Sequence, residues 1–432
     1  MSETITKLQR IAELSKREPD RAFINLMCMF NKDSLEECFN MLDGKKAVGV
    51  DGVTKSEYAV KLDENLEDLI RRMKQMAYRP GPVRQVLIPK EGKKGATRPL
   101  GISNFEDKIV QKMMQRILES IYDPTFLDCS YGFRRGRGCH DAIKDLNQHI
   151  FNNKVETVID VDLANFFGTI DLKIMEEILR KKIHDKTLMR YIIRMFKAGI
   201  LSKGDLQMSD EGVPQGSVCS PVLANLFAHH TIDIWIEEMV KPNCRGNVKI
   251  FRYADDFVIC CQRKEDAKRI HEALGYRLEK FKLKMNEEKT KLVRFSKEEA
   301  TRGNQQEAFD FLGFTFYWGK SKKGLTIPKV KTSGKKFRAK LKDVRVWAQT
   351  VRSKMNLESI WRIFKAKLRG HIQYYGISFN MKKVDEFLGR STKILFKWLN
   401  RRSQRNSFDW EQFQKFMERS PPPKARVIHR LF

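Results

Sequence analysis

The sequence has few of the features that mark secreted or membrane proteins. Only 8 of its 432 residues are cysteines, and none form a C-x-x-C pair or a zinc-ligand spacing, so we expect free thiols without disulfides or structural zinc. No run of about 18 apolar residues occurs, and the segment from Met1 to Arg10 lacks the apolar core of a secretion signal. These absences predict an intracellular, cytoplasmic protein without a membrane partner.

Acidic residues are also in short supply. The chain has 83 Lys and Arg against 54 Asp and Glu, which gives a formal net charge of +29. Residues 317–432 carry +23 of this excess, and the first 316 residues carry only +6. Such a concentration favours a polyanionic partner, because neutralising phosphates releases counterions. Nucleic acid is the leading candidate, with a merely solvated basic surface as the alternative.

The chain divides into three parts by composition and pattern. Residues 1–80 indicate a helical extension that leads into the start of the next part, the fingers of the fold named below; residues 81–319 mix strands with helices, and residues 320–432 are strongly basic. The middle part contains a predicted hairpin, further antiparallel strand pairs and an extended stretch over 309–318, so the fold class is mixed α/β (α+β). A basic linker then precedes a predicted all-helical bundle, with helical patterns at 335–352, 356–376, 381–401 and 408–418.

Two acidic segments lie at the ends of apolar strands, where a charge is costly unless something neutralises it. The first contains Asp160 and Asp162, which point to the same strand face, so strand geometry does not choose between them. The second is a tight turn with Asp255 and Asp256, which alone would be ordinary turn chemistry. Carboxylates brought together repel one another unless cations are present, and oxygen ligands favour Mg²⁺. The segments together predict two Mg²⁺ ions, replaceable by Mn²⁺, that clamp a phosphoryl displacement, as in polymerases and nucleases.

Basic residues near the predicted hairpin favour a polymerase over a nuclease. Lys90 as a point charge and Arg98 as a bidentate fork are suited to hold an incoming triphosphate. Without the carboxylates they would be ordinary solvated charges. A Gly- and Pro-containing loop over 212–217 enters a helix, and its Gln215 is able to hydrogen-bond a nucleotide or template strand that approaches closely.

Five motifs follow one another along the chain. They are Ile88-Pro89-Lys90 with Arg98-Pro99-Leu100-Gly101-Ile102, Asp160-Val161-Asp162-Leu163 with Phe166-Phe167, Pro214-Gln215-Gly216-Ser217, Tyr253-Ala254-Asp255-Asp256, and Phe311-Leu312-Gly313-Phe314. From about residue 40 to Phe432 the sequence resembles the bacterial group II intron reverse transcriptase/maturase family. Three further segments strengthen this narrower match: Tyr131–Arg134, Gly370–Gly376 and the tail Leu399–Arg405.

The resemblance implies a right-hand polymerase, with fingers and a palm that contains an antiparallel sheet over 81–319 and a basic helical thumb, or maturase domain, over 320–432. It implies that Asp162, Asp255 and Asp256 hold the two Mg²⁺ ions. The residues implied to contact the nucleotide are Lys90 and Arg98 at the triphosphate, Phe167 as the gate against a 2′-hydroxyl, Gln215 beside the pocket, and Lys289 near the pyrophosphate as a proton donor.

Nucleic acid is expected to contact basic residues in the middle and C-terminal parts of the chain. The expected positions are Arg134, Lys335, Lys336, Arg338, Lys340, Lys365, Lys367 and Arg369. Stripes of this kind suit phosphate backbones rather than base edges. The sequence departs from the family at Gly168 and Ser217, and no Cys/His endonuclease module follows, so a mobile intron would need its primer from elsewhere.

The leading hypothesis is an RNA-directed DNA polymerase that extends a 3′-hydroxyl primer with dNTPs. Its expected partners are an RNA template, group II intron RNA in a ribonucleoprotein, and a DNA primer or target, with a maturase role in splicing and mobility. One alternative is a stand-alone reverse transcriptase in phage defence or DNA repair. A second alternative is an RNA-binding splicing factor without polymerase activity.

Overall fold

The computed structural model describes residues 3–89, 95, 97–202, 205–207, 216–402 and 409–432. Its strands are β1 (Val83–Pro89), β2 (Thr97–Ile102), β3 (Thr157–Asp162), β4 (Ile200–Ser202), β5 (Asp205–Gln207), β6 (Val248–Tyr253), β7 (Asp256–Cys261), β8 (Lys291–Arg294), β9 (Phe309–Phe311), β10 (Phe314–Lys320) and β11 (Thr326–Thr332). They form three sheets, in the orders β2-β1-β4-β5, β6-β7-β3-β8 and β11-β10-β9.

Helices surround these sheets. They are α1 (Glu3–Arg17), α2 (Lys32–Met41), α3 (Lys55–Ala59), α4 (Leu62–Lys74), α5 (Phe105–Tyr122), α6 (Cys139–Asn152), α7 (Phe166–Thr169), α8 (Leu172–Arg180), α9 (Lys186–Phe196), α10 (Ser220–Ala228), α11 (Lys264–Lys280), α12 (Lys297–Thr301), α13 (Gly334–Val351), α14 (Leu357–Tyr375), α15 (Met381–Leu399) and α16 (Trp410–Arg419). Among the described residues, none of these helices combines enough length with enough apolar character to cross a membrane.

The predicted hairpin is confirmed, because β1 and β2 pair in antiparallel register from Arg84 opposite Ile102 to Pro89 opposite Thr97. The predicted strands at the two acidic segments are confirmed as β3, β6 and β7. These three form adjacent antiparallel strands of the central sheet, β6-β7-β3-β8. The central sheet therefore brings both acidic segments into one layer.

Both faces of the central sheet are buried, and they face different cores. Ile159 and Val161 of β3 join a large core with α5, α8, α9 and α10, whereas Val158 joins a second core with β9, β10 and α6. Burial on both faces explains why the strands read as nearly continuous apolar runs. Asp160 and Asp162 alternate with Ile159 and Val161, so they share the face of Val158.

Two expectations about the third sheet are wrong. The stretch over 309–318 is not one strand, since Leu312 and Gly313, both with positive φ, form a two-residue hairpin turn between β9 and β10. The region after residue 320 is not all-helical, because β11 pairs with β10 along its whole length. Buried and half-buried residues alternate in β11, but its lysines make the segment resemble a basic linker in the sequence.

The four predicted C-terminal helices are confirmed as α13 to α16, within a few residues at each end. They enclose a third core of aromatic and aliphatic side chains that includes Trp361, Phe364 and Phe413. Val344 and Ala348 of α13 face this core, while the lysines near the start of α13 lie towards the central sheet. The start of α13 therefore lies beside the cleft that the acidic residues line.

Candidate active site

Asp162 and Asp256 lie opposite each other where β3 pairs with β7. The antiparallel register aligns Asp162 with Asp256, and Asp160 with Val258. Paired residues in antiparallel strands have Cα atoms about 4.5–5.5 Å apart, so the Asp162 and Asp256 side chains leave the backbone from directly adjacent positions. Asp255 precedes Asp256 in the two-residue turn from β6 to β7. The structure thus brings together the three carboxylates that were expected to meet.

These carboxylates line an open cleft with a volume of about 660 Å³. Asp160 and Asp310 extend its acidic floor. Lys335 and Lys336 reach it from α13, and Lys289 and Lys291 line its side. The cleft therefore combines a row of carboxylates with ammonium groups from two separate elements, an arrangement suited to a charged substrate with its counter-ions.

Burial makes the charge on this acidic floor costly. It raises the pKa of Asp256 to about 7, and the nearby charges of Asp160 and Asp255 add to the increase. Burial likewise raises the pKa of Asp160 to about 7, with a further contribution from Asp310. The pKa of Asp255 is also raised by burial, although Arg98 opposes this increase. A bound cation would relieve this repulsion and keep the carboxylates ionised.

The donor chemistry fits Mg²⁺, which prefers carboxylate oxygens and water. In the described part of the chain, however, no three acidic, histidine or cysteine side chains are clustered tightly enough to enclose an ion. The ammonium of Lys289 instead contacts Asp162 Oδ2. Within this cleft, Lys289 supplies the positive charge beside Asp162 that a divalent ion would supply.

The turn that carries Asp255 has an unusual backbone. Ala254, which precedes Asp255, has φ +58°, a left-handed conformation that L-residues other than glycine seldom adopt. The loop that precedes α6 approaches this turn closely, since a Cβ at Gly132 would lie 2.6 Å from the Ala254 nitrogen. Asn225 of α10 donates from Nδ2 to the Gly132 carbonyl at 2.5 Å. The position of the turn is therefore fixed by contacts with the loop at Gly132, which Asn225 in turn holds in place.

Arg252 is the centre of the contacts that hold this turn. It is fully buried, and its guanidinium donates to Asp233 Oδ1 and Oδ2 at 2.7 and 2.5 Å, to Asn225 Oδ1 at 3.1 Å, to the Ala254 carbonyl at 3.0 Å and to Ser130 Oγ at 2.8 Å. All five N–H donors of an arginine side chain are thereby used. One side chain connects four segments directly behind the acidic turn.

Sequence reasoning missed Arg252, Asp233 and Asn225. The sequence does contain a sign of this contact, namely an arginine inside the apolar strand β6 and an aspartate inside the apolar run after α10. Charged residues are rarely buried unless they are paired. Their pairing is a tertiary contact between residues 19 positions apart, and no local pattern specifies it.

The expected nucleotide-binding residues have different surroundings. Arg98 lies on β2 opposite Ile88, is exposed, and acts electrostatically on Asp255. Phe167 of α7 is half-buried, with its ring 5.7 Å from the buried Phe166 ring in an edge-on arrangement. Lys90 and Gln215 lie outside the described residues.

The expected nucleic-acid contacts near the cleft include Lys335, Lys336, Lys340 and Lys367. The first two line the acidic cleft, while Lys336, Lys340 and Lys367 line an adjoining cavity of about 690 Å³ that reaches Asp256. Lys367 also lies over the Trp347 ring, 5.2 Å from its centroid. This part of the basic surface is therefore continuous with the acidic cleft.

The remaining expected contacts differ in how accessible they are. Arg338 and Arg369 are exposed, whereas Lys365 donates to Ser420 Oγ at 2.8 Å. The Arg134 guanidinium is nearly buried, forms an ion pair with Asp123 at 2.7 Å and donates to three backbone carbonyls. Four of its five donors are therefore used inside the protein.

Comparison with known proteins agrees with this arrangement. Residues 88–316 match the family described as reverse transcriptase (RNA-dependent DNA polymerase). The group II intron-encoded protein LtrA of Lactococcus lactis subsp. cremoris is 26% identical over 468 aligned residues, which cover 90% of this chain and 76% of LtrA.

Two further relatives match shorter parts of the chain. Protein YkfC of Escherichia coli is 31% identical over 279 residues, covering 58% of this chain and 73% of YkfC. The putative COX1/OXI3 intron 1 protein of Saccharomyces cerevisiae is 32% identical over 225 residues, covering 52% of this chain and 26% of that protein. The resemblance predicted from the motifs is confirmed, and the chain belongs to the reverse transcriptase family of RNA-dependent DNA polymerases.

Proposed function

We propose that this chain copies RNA into DNA at the cleft formed by β3, β7 and α13, extending a primer 3′-hydroxyl with dNTPs. The observation that carries this proposal is the register that pairs Asp162 with Asp256 beside the Asp255 turn, in a cleft bordered by lysines. Family membership supplies the reaction, and this register supplies the position at which the reaction would occur.

The carboxylates of Asp162, Asp255 and Asp256 would hold two Mg²⁺ ions, in keeping with the divalent-ion requirement of the family. When bound, the ions would lower the pKa of the primer 3′-hydroxyl and neutralise charge on the leaving pyrophosphate. Asp160 pairs with Val258, two residues further from the turn than the Asp162–Asp256 pair, and lies near the charge of Asp310. This position favours Asp162 over Asp160 as the ligand.

The chain's other residues would bind and orient the nucleotide. Arg98, whose charge acts on Asp255, would hold the triphosphate with a planar fork of donors. Phe167 would lie against the sugar and exclude a 2′-hydroxyl. Lys289 would leave Asp162 and donate a proton to the departing pyrophosphate. For Lys90 and Gln215, the proposed nucleotide contacts rest on the sequence motifs alone.

We assign residues 1–80 to a helical extension and the start of the fingers, and residues 81–319, which include the central sheet, to the fingers and palm. The basic C-terminal residues form the thumb in this assignment. The strand β11 lies beyond residue 320, and we therefore propose that the helices of the thumb begin at α13. Lys335, Lys336, Lys340 and Lys367 would then line the path of the template–primer duplex as it leaves the cleft.

The RNA partner we propose is a group II intron RNA, with a maturase role in its splicing and mobility. This rests on the relatives, which include an intron-encoded protein that covers nearly the whole chain, and a protein named as an intron maturase. The surplus of basic residues over 317–432 supplies the charge that such a ribonucleoprotein requires.

A primer-extension assay with a double Asp255→Ala, Asp256→Ala variant tests the proposal. The wild type should extend a DNA primer on an RNA template with dNTPs and Mg²⁺. The variant should lose extension by at least a thousandfold while its affinity for intron RNA stays within twofold. Full synthesis by the variant would refute the assigned site.

Primer extension run beside an intron-splicing assay separates the two alternative functions. A wild type that promotes intron splicing without extending any primer would be a splicing factor alone. Extension without a preference for intron RNA over unrelated RNA of equal length would instead favour the stand-alone enzyme.

A further inference from the structure

A second basic groove lies between the segment that follows α4 and the helices α8 and α9. Its volume is about 670 Å³, and among the described residues six cationic side chains but no carboxylate line it. They are Arg79, Arg180, Lys186, Arg190, Arg194 and Lys197. No residue of this groove also lines the acidic cleft or its adjoining cavity.

Two of these cations form part of the groove's walls. Arg194 donates to the carbonyls of Met76 and Tyr78, each at 2.9 Å, and so ties α9 to the segment after α4. Arg180 forms an ion pair with Glu176 at 2.6 Å on the same helix. Arg194 therefore fixes how α9 lies against the segment after α4, whereas Arg180 stays on the surface of α8.

The other four cations, Arg79, Lys186, Arg190 and Lys197, are exposed, and within the described ranges none of them has a carboxylate within ion-pair distance. Lys186, Arg190 and Arg194 recur every four residues along one side of α9. The other side of α9 is buried through Leu188, Ile192 and Met195 among others. Like charges at this spacing destabilise a helix by a few tenths of a kcal/mol.

This concentration of charge is local. The first 316 residues carry a net charge of only +6, so a groove with six cations and no acid does not follow from the average composition of this region. It is also separate in sequence from the basic C-terminal quarter. Charge complementarity therefore points to a polyanion at this position.

The groove residues also indicate which polyanion fits. The apolar lining consists of Pro80, Ile193 and Ala198, without an aromatic side chain on which a base could stack. Sites for single-stranded nucleic acid typically provide such stacking surfaces, whereas double-stranded RNA is recognised through its backbone and shape. From Lys186 to Lys197 the helix runs roughly 16 Å, enough to follow several phosphates.

We propose that this groove binds the phosphodiester backbone of base-paired RNA, outside the template–primer path. The inference rests on the proposed function in that both involve an RNA partner. It adds a second attachment point, which would hold a structured RNA while the acidic cleft handles template and primer.

A triple variant, Lys186→Ala, Arg190→Ala and Lys197→Ala, tests the inference. Its matched control, Lys264→Ala, Lys268→Ala and Arg269→Ala, removes the same charge from α11, where these side chains are exposed. The probe is a fluorescein-labelled RNA hairpin of 20 base pairs, titrated by anisotropy between 50 and 300 mM KCl. Melting temperatures establish that both variants fold.

The groove variant should bind the hairpin about tenfold more weakly than the control at 100 mM KCl. The slope of log affinity against log salt should fall by about 2–3, since each phosphate contact contributes about 0.9. Primer extension on a short annealed template–primer should stay within twofold of the wild type, which keeps this test independent of polymerase activity.

Three results would overturn the inference. One is a groove variant that binds the hairpin like the control. Another is an equal loss of affinity for single-stranded RNA of the same length, which would reject the base-paired assignment. The third is a loss of primer extension on the short substrate, which would place the groove on the template path. Polymerase inactivity of the wild type would refute the proposed function and leave this binding result standing.

Discussion

Arg252 and Asp233 form an ion pair that is completely buried behind the turn bearing Asp255 and Asp256. Both oxygens of Asp233 accept from the guanidinium, at 2.7 and 2.5 Å, and the attraction of Arg252 keeps the pKa of Asp233 below its usual range despite burial. Because the same guanidinium also donates to the Ala254 carbonyl, the ion pair connects the core to the backbone of the acidic turn.

Replacing Asp233 with Asn should destabilise the protein strongly. The change leaves Arg252 charged and buried without its counter-charge, which typically costs 3–5 kcal/mol. Urea denaturation should therefore show a free energy of unfolding lower by about that amount. The control is Glu176→Gln, which breaks the exposed ion pair with Arg180 and should change stability by less than about 1 kcal/mol. Equal effects of the two substitutions would contradict the role given to the buried pair.

Much of the central sheet could be predicted because its information is local. The apolar runs of β3, β6 and β7 are continuous, and turn residues separate β6 from β7. The Arg252 network could not be predicted, because Asp233, Asn225 and Ser130 lie 19, 27 and 122 positions from Arg252 and meet it only in the folded chain.

Misleading composition explains the other differences between expectation and structure. The lysines of β11 resemble those of a linker, but alternate residues from Thr326 to Thr332 are buried, as in a strand. Arg134 lies in a basic, glycine-rich segment that suggests exposure, yet its guanidinium satisfies backbone carbonyls. Net charge alone did not distinguish arginines that hold the fold together from those that face solvent.

Phe167→Ala should relax discrimination against ribonucleotides. The half-buried Phe167 ring would occupy the space that a 2′-hydroxyl needs, and removing it should cut the dNTP over rNTP preference in kcat/KM by about 10–200-fold. Single-nucleotide insertion kinetics measure this ratio. The adjacent Phe166→Leu is the control, because that ring is buried in the core and its loss should lower stability while preserving discrimination. A ratio unchanged in Phe167→Ala would remove this residue from the nucleotide site.

Lys289→Met should slow the chemical step. If Lys289 donates a proton to pyrophosphate, its loss should lower the single-turnover rate by roughly 10²-fold, the lower range for general acid catalysis. Rapid-quench measurements at saturating dNTP would detect this. Lys291→Met removes another ammonium from the same cleft and should stay within threefold of the wild type. Similar rates for the two variants would show that Lys289 contributes only charge to the cleft.

His371→Phe should make the helical C-terminal region, α13 to α16, less sensitive to acid. His371 is buried, its ring stacks on Phe387 with centroids 3.5 Å apart, and its Nε2 has no hydrogen-bond partner within the described part of the chain. Burial lowers its pKa to about 3, with a further decrease from Lys340. In the unfolded chain the histidine pKa is near its ordinary 6.5, so at mildly acidic pH His371 is protonated in the unfolded chain and neutral in the folded chain.

The sign of the effect follows from this difference. Between pH 6.5 and 3 the unfolded state binds more protons at this site, so the stability that neutral His371 allows is lost as the pH falls. The wild type should lose about 2 kcal/mol between pH 7 and pH 5 from this residue. His371→Phe should abolish that part of the loss in urea denaturation series while it leaves stability at pH 8 nearly unchanged. An identical pH dependence in both proteins would mean that this imidazole is protonated without unfolding.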